Sequence, residues 1–150
     1  MNIEIKTFNE LSTFELYRML QLRSEVFIME QHCVYQDMDG KDLKALHILG
    51  KENGEIVAYA RAFKGGDYFD EAAFGRVLVQ KNFRKKGYGH EITKASIGAI
   101  KKHFDAFKIR ISAQLYLLDF YRSHGFEPVG KEYMEENIPH IAMILELKSE

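Results

Sequence analysis

Ile3 and Ile5 alternate with Glu4 and Lys6 across residues 2–8, the period-two pattern of a strand with one buried face. The pattern then changes period. Ser12-Thr13-Phe14-Glu15 has capping-box spacing, with serine at the N-cap and glutamate three residues on. Leu16, Leu20, Arg23 and Phe27, flanked by Met19, Leu22 and Val26, recur at helical spacing and predict an amphipathic helix to about Met29. Residues 30–46 carry Asp37, Asp39, Gly40, Lys41 and Asp42 without steady periodicity, which predicts a long loop with at most one helical turn. The runs His47–Lys51 and Ile56–Phe63 flank Asn53-Gly54. That dipeptide suits the positive φ angles of a type I′ hairpin turn.

After a second turn at Gly65-Gly66-Asp67, Phe74–Gln80 reads as a strand and runs into a basic, glycine-bearing segment, Asn82–Gly89. Tyr88, Ile92, Ala95 and Ala99 then fall on one helical stripe, with Lys94, Lys101 and Lys102 among the polar positions. Residues 107–113 alternate again, 115–123 form a short helix ended by Gly125, and 138–147, starting with Ile138-Pro139, predict a last strand. The order β-α-β-β-β-α-β-α-β describes a mixed α/β domain whose central β-α-β unit is parallel and right-handed. A length of 150 residues suits one domain, 1–150, with a real core.

Composition narrows the partners. Hydrophobic residues make up 46% and charged ones 29%, an ordinary globular balance. A net charge of −1 supplies no overall positive field for nucleic acid or an anionic membrane, so neither is expected as a partner. Cys33 is the single cysteine, so no intrachain disulfide can form. With no signal-like start and no apolar run near the ~20 residues of a membrane span, a cytoplasmic location is expected. A metal site is not expected either. Asp37-x-Asp39-Gly40 puts glycine too early for a calcium loop, and His32, Cys33 and His47 lack paired zinc spacing.

The segment Val77-Leu78-Val79 through Arg84-Lys85-Lys86-Gly87-Tyr88-Gly89-His90 carries the chemistry. An apolar strand, a basic turn and a helix start together suit an anion, because the first helical amides lack partners and the dipole there favours negative charge. Gly87 and Gly89 let backbone approach an anion and take positive φ. A solvated basic loop is the plainer alternative. Ile92 stands where a dinucleotide fingerprint needs its third glycine, and no Gly-Lys-Ser/Thr occurs, so neither nucleotide motif applies.

Arg84-x-x-Gly87-x-Gly89 after a strand resembles motif A, the pyrophosphate-binding signature of GNAT acetyltransferases. Gln114 to Tyr121-Arg-Ser-His-Gly125-Phe126 resembles that family's later Asn-to-Tyr-to-Gly-Phe segment, with Gln114 in place of asparagine and Leu117 in place of a small residue. Gln21 to Asp39, with Arg23, Phe27, Glu30, Gln31, Tyr35 and Asp37, is similar to the ElaA-type branch. The resemblance implies a central mixed sheet flanked by helices, with a splayed parallel strand pair around acetyl-CoA. It implies direct acetyl transfer to an amine, with backbone groups of Val77, Leu78 and Val79 on pantetheine, the 84–90 turn on pyrophosphate and Gln114 beside pantetheine. It also implies a homodimer by family habit.

Catalytic assignments follow from the same resemblance. Tyr121 occupies the position of the family's general acid, although an aromatic ahead of Gly-Phe also reads as core. A phenol near ~10 is a weaker acid than a thiol near ~8.5, so full proton transfer to the sulfur is uphill by about 2 kcal/mol. An ammonium acceptor must first lose a proton. Glu30, at the end of the first helix, and His47, at a strand start, are the candidates for that step, with His140 behind them. Asp37, Asp39 and Asp42 read as solvated turn carboxylates able to attract a cationic acceptor. The competing expectation is a CoA-binding sensor or interaction module with little turnover.

Overall fold

The computed structural model describes residues 1–147. β1 (Asn2–Thr7) leads through a 3-10 turn to α1 (Thr13–Arg23). Its capping box forms as the spacing predicts, with Ser12 Oγ accepting from the Glu15 amide and the Glu15 carboxylate accepting from the Ser12 amide. α1 does not run on in α geometry. Ser24–Glu30 is a π-helical segment, a wider coil that is frequent at functional sites.

β2 (Leu46–Glu52) and β3 (Glu55–Phe63) form the expected hairpin, with φ of 50° at Asn53 and 79° at Gly54. β4 (Ala72–Val79), α2 (Tyr88–His103), β5 (Lys108–Gln114), the short α3 (Leu118–Arg122), β6 (Glu127–Glu135) and β7 (Ile138–Glu146) complete the chain. A strand at β6 was not legible in the sequence. Most of it is exposed at the sheet edge, so no alternation marks it.

The seven strands make one sheet in the order β1-β2-β3-β4-β5-β7-β6. Every pairing is antiparallel except β4 with β5, which is parallel, as the β-α-β reading expects. That parallel ladder spans only Ala72–Ile109 and Ala73–Arg110, although both strands continue for several residues beyond it. The strands part there.

Alternation along β2 sends Ile48 into the core beneath α2 and Leu49 into the core beneath α1. Ala58, Ala60 and Ala62 of β3 offer only methyl groups to the α2 side, where Ile92 and Ile100 pack fully buried. Burying each such isoleucine contributes about 1.5–3 kcal/mol. On the opposite face Met19, Leu22 and Val26 pack against Leu49, Ile56, Tyr59 and Leu78. The two cores hold α1 and α2 on either face of the sheet and leave the gap between β4 and β5 open at one end.

Candidate active site

The gap opens into a cleft of about 970 Å3 whose walls include Val77, Leu78, Val79, Arg84, Lys85, Gly87, Gly89, His90, Gln114 and Tyr121. Four of its features come from local backbone. β4 carries a bulge, since Tyr59 opposes Leu78 while Arg61 opposes Gly75, leaving Arg76 and Val77 opposite Ala60 alone. Arg76 sits in the bulge at φ 52°, a left-handed conformation that is costly for any residue with a Cβ and persists only when its surroundings hold it. Lys85 and Gly87 also take positive φ, 67° and 81°, which coils the chain into the start of α2. Helical bonding begins with the Glu91 amide to the Gly87 carbonyl, and no side chain caps the helix, so the preceding amides point free at the cleft end.

The two glycines of the turn differ. Gly87 is needed for its φ of 81° and not for space, since an added Cβ would meet nothing within 4 Å. Gly89 is already helical, without positive φ, and an added Cβ would lie 3.6 Å from Phe120. Its freedom from Cβ therefore concerns approach from the cleft alone.

The basic side chains also divide. Arg84 donates from Nε to the Val79 carbonyl at 2.9 Å and pairs through a terminal nitrogen with Glu30 at 2.8 Å. It ties the turn to the end of the π segment. Lys85 lines the cleft, whereas the Lys86 ammonium lies 5.3 Å over the Phe83 ring and does not form part of the wall. Tyr88 donates to Glu52, and that bond pushes its hydroxyl up to about 12. His90 stacks on Phe120 and shares a hydrogen bond with His124, whose pKa is lowered by burial and by His90 itself.

Tyr121 is 6% exposed and packed among Phe74, Phe120 and Phe126. Burial pushes its hydroxyl well above the usual phenol range. That hydroxyl has no hydrogen-bond partner among the described residues, and Tyr121 lines the cleft. Gln114 closes β5, and its amide oxygen lies 3.5 Å from Gln31 Nε2. Both readings of Tyr121, core aromatic and cleft group, describe one side chain.

Glu30 lines the same cleft, held by Arg84. His47 does not. It is 0% exposed, lies outside the cleft wall, and has both ring nitrogens occupied. The Asp42 carbonyl, 2.9 Å from Nε2, can only accept, so Nε2 carries the proton and Nδ1 accepts from Tyr59 at 2.6 Å. Burial lowers its pKa. His47 is thus a neutral core group beneath the acidic loop, which corrects its expected place as a proton relay.

The loop aspartates are a second correction. Asp37 and Asp42 are buried, and Asp39, though exposed, is paired with Arg61. Arg23 donates from Nε to Asp37 (2.8 Å) and from a terminal nitrogen to Asp42 (2.6 Å). Arg61 reaches Asp39 and Asp42, and Arg76 reaches Asp37 and its carbonyl. Arg23 and Arg61 are essentially inaccessible. Although desolvation works the other way, these guanidinium groups hold Asp39 and Asp42 below the usual carboxylate range. Arg76 in particular gave no signal in the sequence beyond being a charge inside an apolar strand.

On the far wall, Gln114, His140 and Tyr133 form one row across β5, β7 and β6, because each is the direct ladder partner of the next. Ser112, two residues before Gln114, pairs its hydroxyl with that of Tyr133. Glu135 and His140 approach at 3.2 Å. Among the described residues no helix is long and apolar enough to cross a membrane.

The sequence and the fold have counterparts among known proteins. Residues 10–147 match the family model described as an acetyltransferase (GNAT) domain. The chain is 42% identical to protein ElaA of Escherichia coli over 141 residues, 93% of this chain and 92% of that one. The crystal structure of Escherichia coli ElaA superposes with a TM-score of 0.89 at 40% identity, covering 97% of this chain and 99% of that one. An acyl-CoA N-acyltransferase from Pseudomonas aeruginosa gives 0.88 at 34% identity, covering 96% and 98%. A family member from Elizabethkingia anophelis, solved with acetyl-CoA bound, shares the fold at a TM-score of 0.66 and 17% identity, covering 97% and 99%. A parallel pair that parts after two rungs, a bulged strand beside it, an uncapped basic helix start and these relatives lead to one assignment: the chain is an enzyme of the GNAT acyl-CoA N-acyltransferase family, similar to ElaA.

Proposed function

We propose that the protein transfers the acetyl group of acetyl-CoA directly to a primary amine. The reading rests above all on the parting of β4 from β5 beside the uncapped start of α2, which leaves strand backbone and helix amides facing one cleft. Pyrophosphate would lie at the amides of Gly87, Tyr88, Gly89 and His90, with Lys85 adding charge; Arg84 shapes the turn, and Lys86 acts at longer range. Pantetheine would pair with backbone groups of Val77, Leu78 and Val79 across the gap, opposite Gln114. An amide of the bulged strand would polarise the acetyl carbonyl as charge develops on its oxygen.

Tyr121 stands as donor to the departing sulfur. Its raised pKa makes hydrogen-bond stabilisation of the thiolate the favoured role and full proton release the costlier one. Glu30 is assigned to shaping the turn through Arg84 and is not the favoured base. Holding amine and thioester in reacting geometry supplies a large share of the barrier reduction. We place the activity in the cytoplasm, on the composition of the sequence.

An assay of acetyl-CoA consumption against polyamines, amino acids, aminoglycosides and peptide N-termini tests the reading. Acceptor-dependent release of CoA is the expected result. Tight CoA binding with only slow, acceptor-independent thioester hydrolysis would point to a sensor module instead.

A further inference from the structure

Resting on the transferase reading above, we propose that His140 is the group that takes the proton from the acceptor's ammonium, through Nε2. The assignment begins with its other nitrogen. Nδ1 lies 2.7 Å from the Ile138 carbonyl oxygen, which can only accept, so Nδ1 keeps its proton in every state that keeps this bond. The neutral ring must then carry its lone pair on Nε2. That nitrogen lies 3.2 Å from Glu135 Oε2. His140 lines the cleft, and its ladder partner on β5 is Gln114, the residue beside the proposed pantetheine site.

The groups set against the ring are few. β6 supplies Glu135 and the stacked ring of Tyr133, 6.1 Å away. Glu136 follows in the β6–β7 turn and lines the same wall. β5 supplies the uncharged Ser112 and Gln114. Among the described residues no lysine or arginine is paired with Glu135. A carboxylate beside the lone-pair nitrogen is where an alkylammonium would settle, and the same carboxylate stabilises the imidazolium that results from transfer.

The proton count closes. The ammonium N–H bond breaks and its proton joins Nε2, leaving a neutral amine and an imidazolium against Glu135. The amine lone pair attacks the thioester carbon, the C–S bond breaks, and the second proton lost from nitrogen goes to the CoA sulfur. His140 then returns its proton to solvent, so each turnover forms amide and thiol and releases one proton.

Two small acceptors separate a base from a scaffold. Methylamine is an ammonium at neutral pH, close to lysine's ~10.4, whereas hydroxylamine is already unprotonated there. With acetyl-CoA saturating, His140→Ala is expected to lose about a hundredfold in kcat/KM for methylamine and under threefold for hydroxylamine. Equal losses with both, or no loss with either, would overturn the assignment. Glu135→Gln, at a half-exposed position, is expected to raise the KM for methylamine severalfold and leave that for hydroxylamine unchanged, because it removes the charge beside which an ammonium would settle. An unchanged KM for methylamine counts against the proposal. In histidine-labelled protein with CoA bound, nitrogen NMR should find the neutral His140 ring protonated at Nδ1; a neutral Nε2–H ring overturns it. If the wild type binds CoA but acetylates no amine of the wider panel, the transferase reading fails and the assignment of His140 falls with it; a wild type that acetylates while the histidine tests fail overturns the assignment alone.

Discussion

Arg76 Nε donates to Asp37 Oδ1 at 2.8 Å from a backbone held at φ 52° in the middle of β4. The same aspartate takes Arg23 Nε on its other oxygen, also at 2.8 Å. One carboxylate therefore joins the inaccessible end of α1 to the bulge that shapes the cleft. Removing it leaves Arg23 buried without full compensation, which typically costs about 3–5 kcal/mol. Asp37→Ala should lower the free energy of urea unfolding by that order, and in the fraction that folds it should raise the KM for acyl-CoA more than it lowers kcat. A stability loss under 1 kcal/mol would show that the network does not hold the bulge.

Tyr121→Phe removes only the hydroxyl from a side chain whose ring packs among three phenylalanines. The hydroxyl has no protein partner among the described residues, so stability should change little. Turnover should fall about tenfold or more while CoA affinity by calorimetry stays within about twofold. Unchanged turnover, with chemistry shown to limit the rate, removes Tyr121 from the reaction.

The two turn glycines should respond in opposite senses. Gly87→Ala forces a Cβ into the left-handed region and should cost about 1 kcal/mol of stability although nothing lies in its way. Gly89→Ala meets only ordinary contact with Phe120 and sits in a helix, where alanine is favoured by up to about 1 kcal/mol. It should leave the melting temperature level or higher yet weaken CoA binding, if phosphate approaches that amide. Equal CoA affinity in wild type and Gly89→Ala would move the phosphate elsewhere.

Acid should weaken the sheet edge through Glu15. Burial alone would raise its pKa, but hydrogen bonds from Lys51, Lys6 and the Ser12 amide hold it at about 2, against an ordinary 4.5. A carboxylate with a depressed folded pKa contributes stability above its unfolded pKa and loses it as pH falls through the folded one. The unfolding free energy should therefore drop between about 4.5 and about 2, and Glu15→Gln should flatten that part of the curve. Asp39 and Asp42, also lowered, add to the slope in the same direction. A Glu15→Gln profile parallel to wild type would refute this account.

His47 contributes through packing. Its depressed pKa means the folded state keeps it neutral while the unfolded chain protonates near 6.5, so its contribution weakens as pH falls below that value. His47→Ala should cost about 2–4 kcal/mol by leaving Tyr59 and the Asp42 carbonyl unpaired. The kcat of the folded fraction should be unaltered. A pure loss of kcat at wild-type stability would restore His47 to the reaction.

Local chemistry was legible in the sequence wherever one segment determines it. The Ser12–Glu15 capping box, the Asn53-Gly54 hairpin and the glycine-bearing start of α2 each depend on neighbours within a few residues, and each forms. Asp37, Asp39 and Asp42 were misread because their partners, Arg23, Arg61 and Arg76, lie 14 to 39 residues away, and two of those partners, Arg61 and Arg76, are hidden in apolar strands. β6 escaped for a different reason. Glu135 lines the cleft, and every residue of the strand but Pro128 is exposed, so it buries too little to impose a period. The π segment likewise left no trace, since the same apolar stripe serves either coil.

The brevity of the β4–β5 ladder has a mechanical consequence. Among the described residues two rungs are the whole of the strand pairing that joins β1–β4 to the β5–β7–β6 leaf. A thioester cofactor threaded along that seam would lend its own amides to strands that have none to offer each other. Occupancy should then stiffen the molecule across its weakest line, slowing amide exchange in the β5–β7–β6 leaf far from any phosphate.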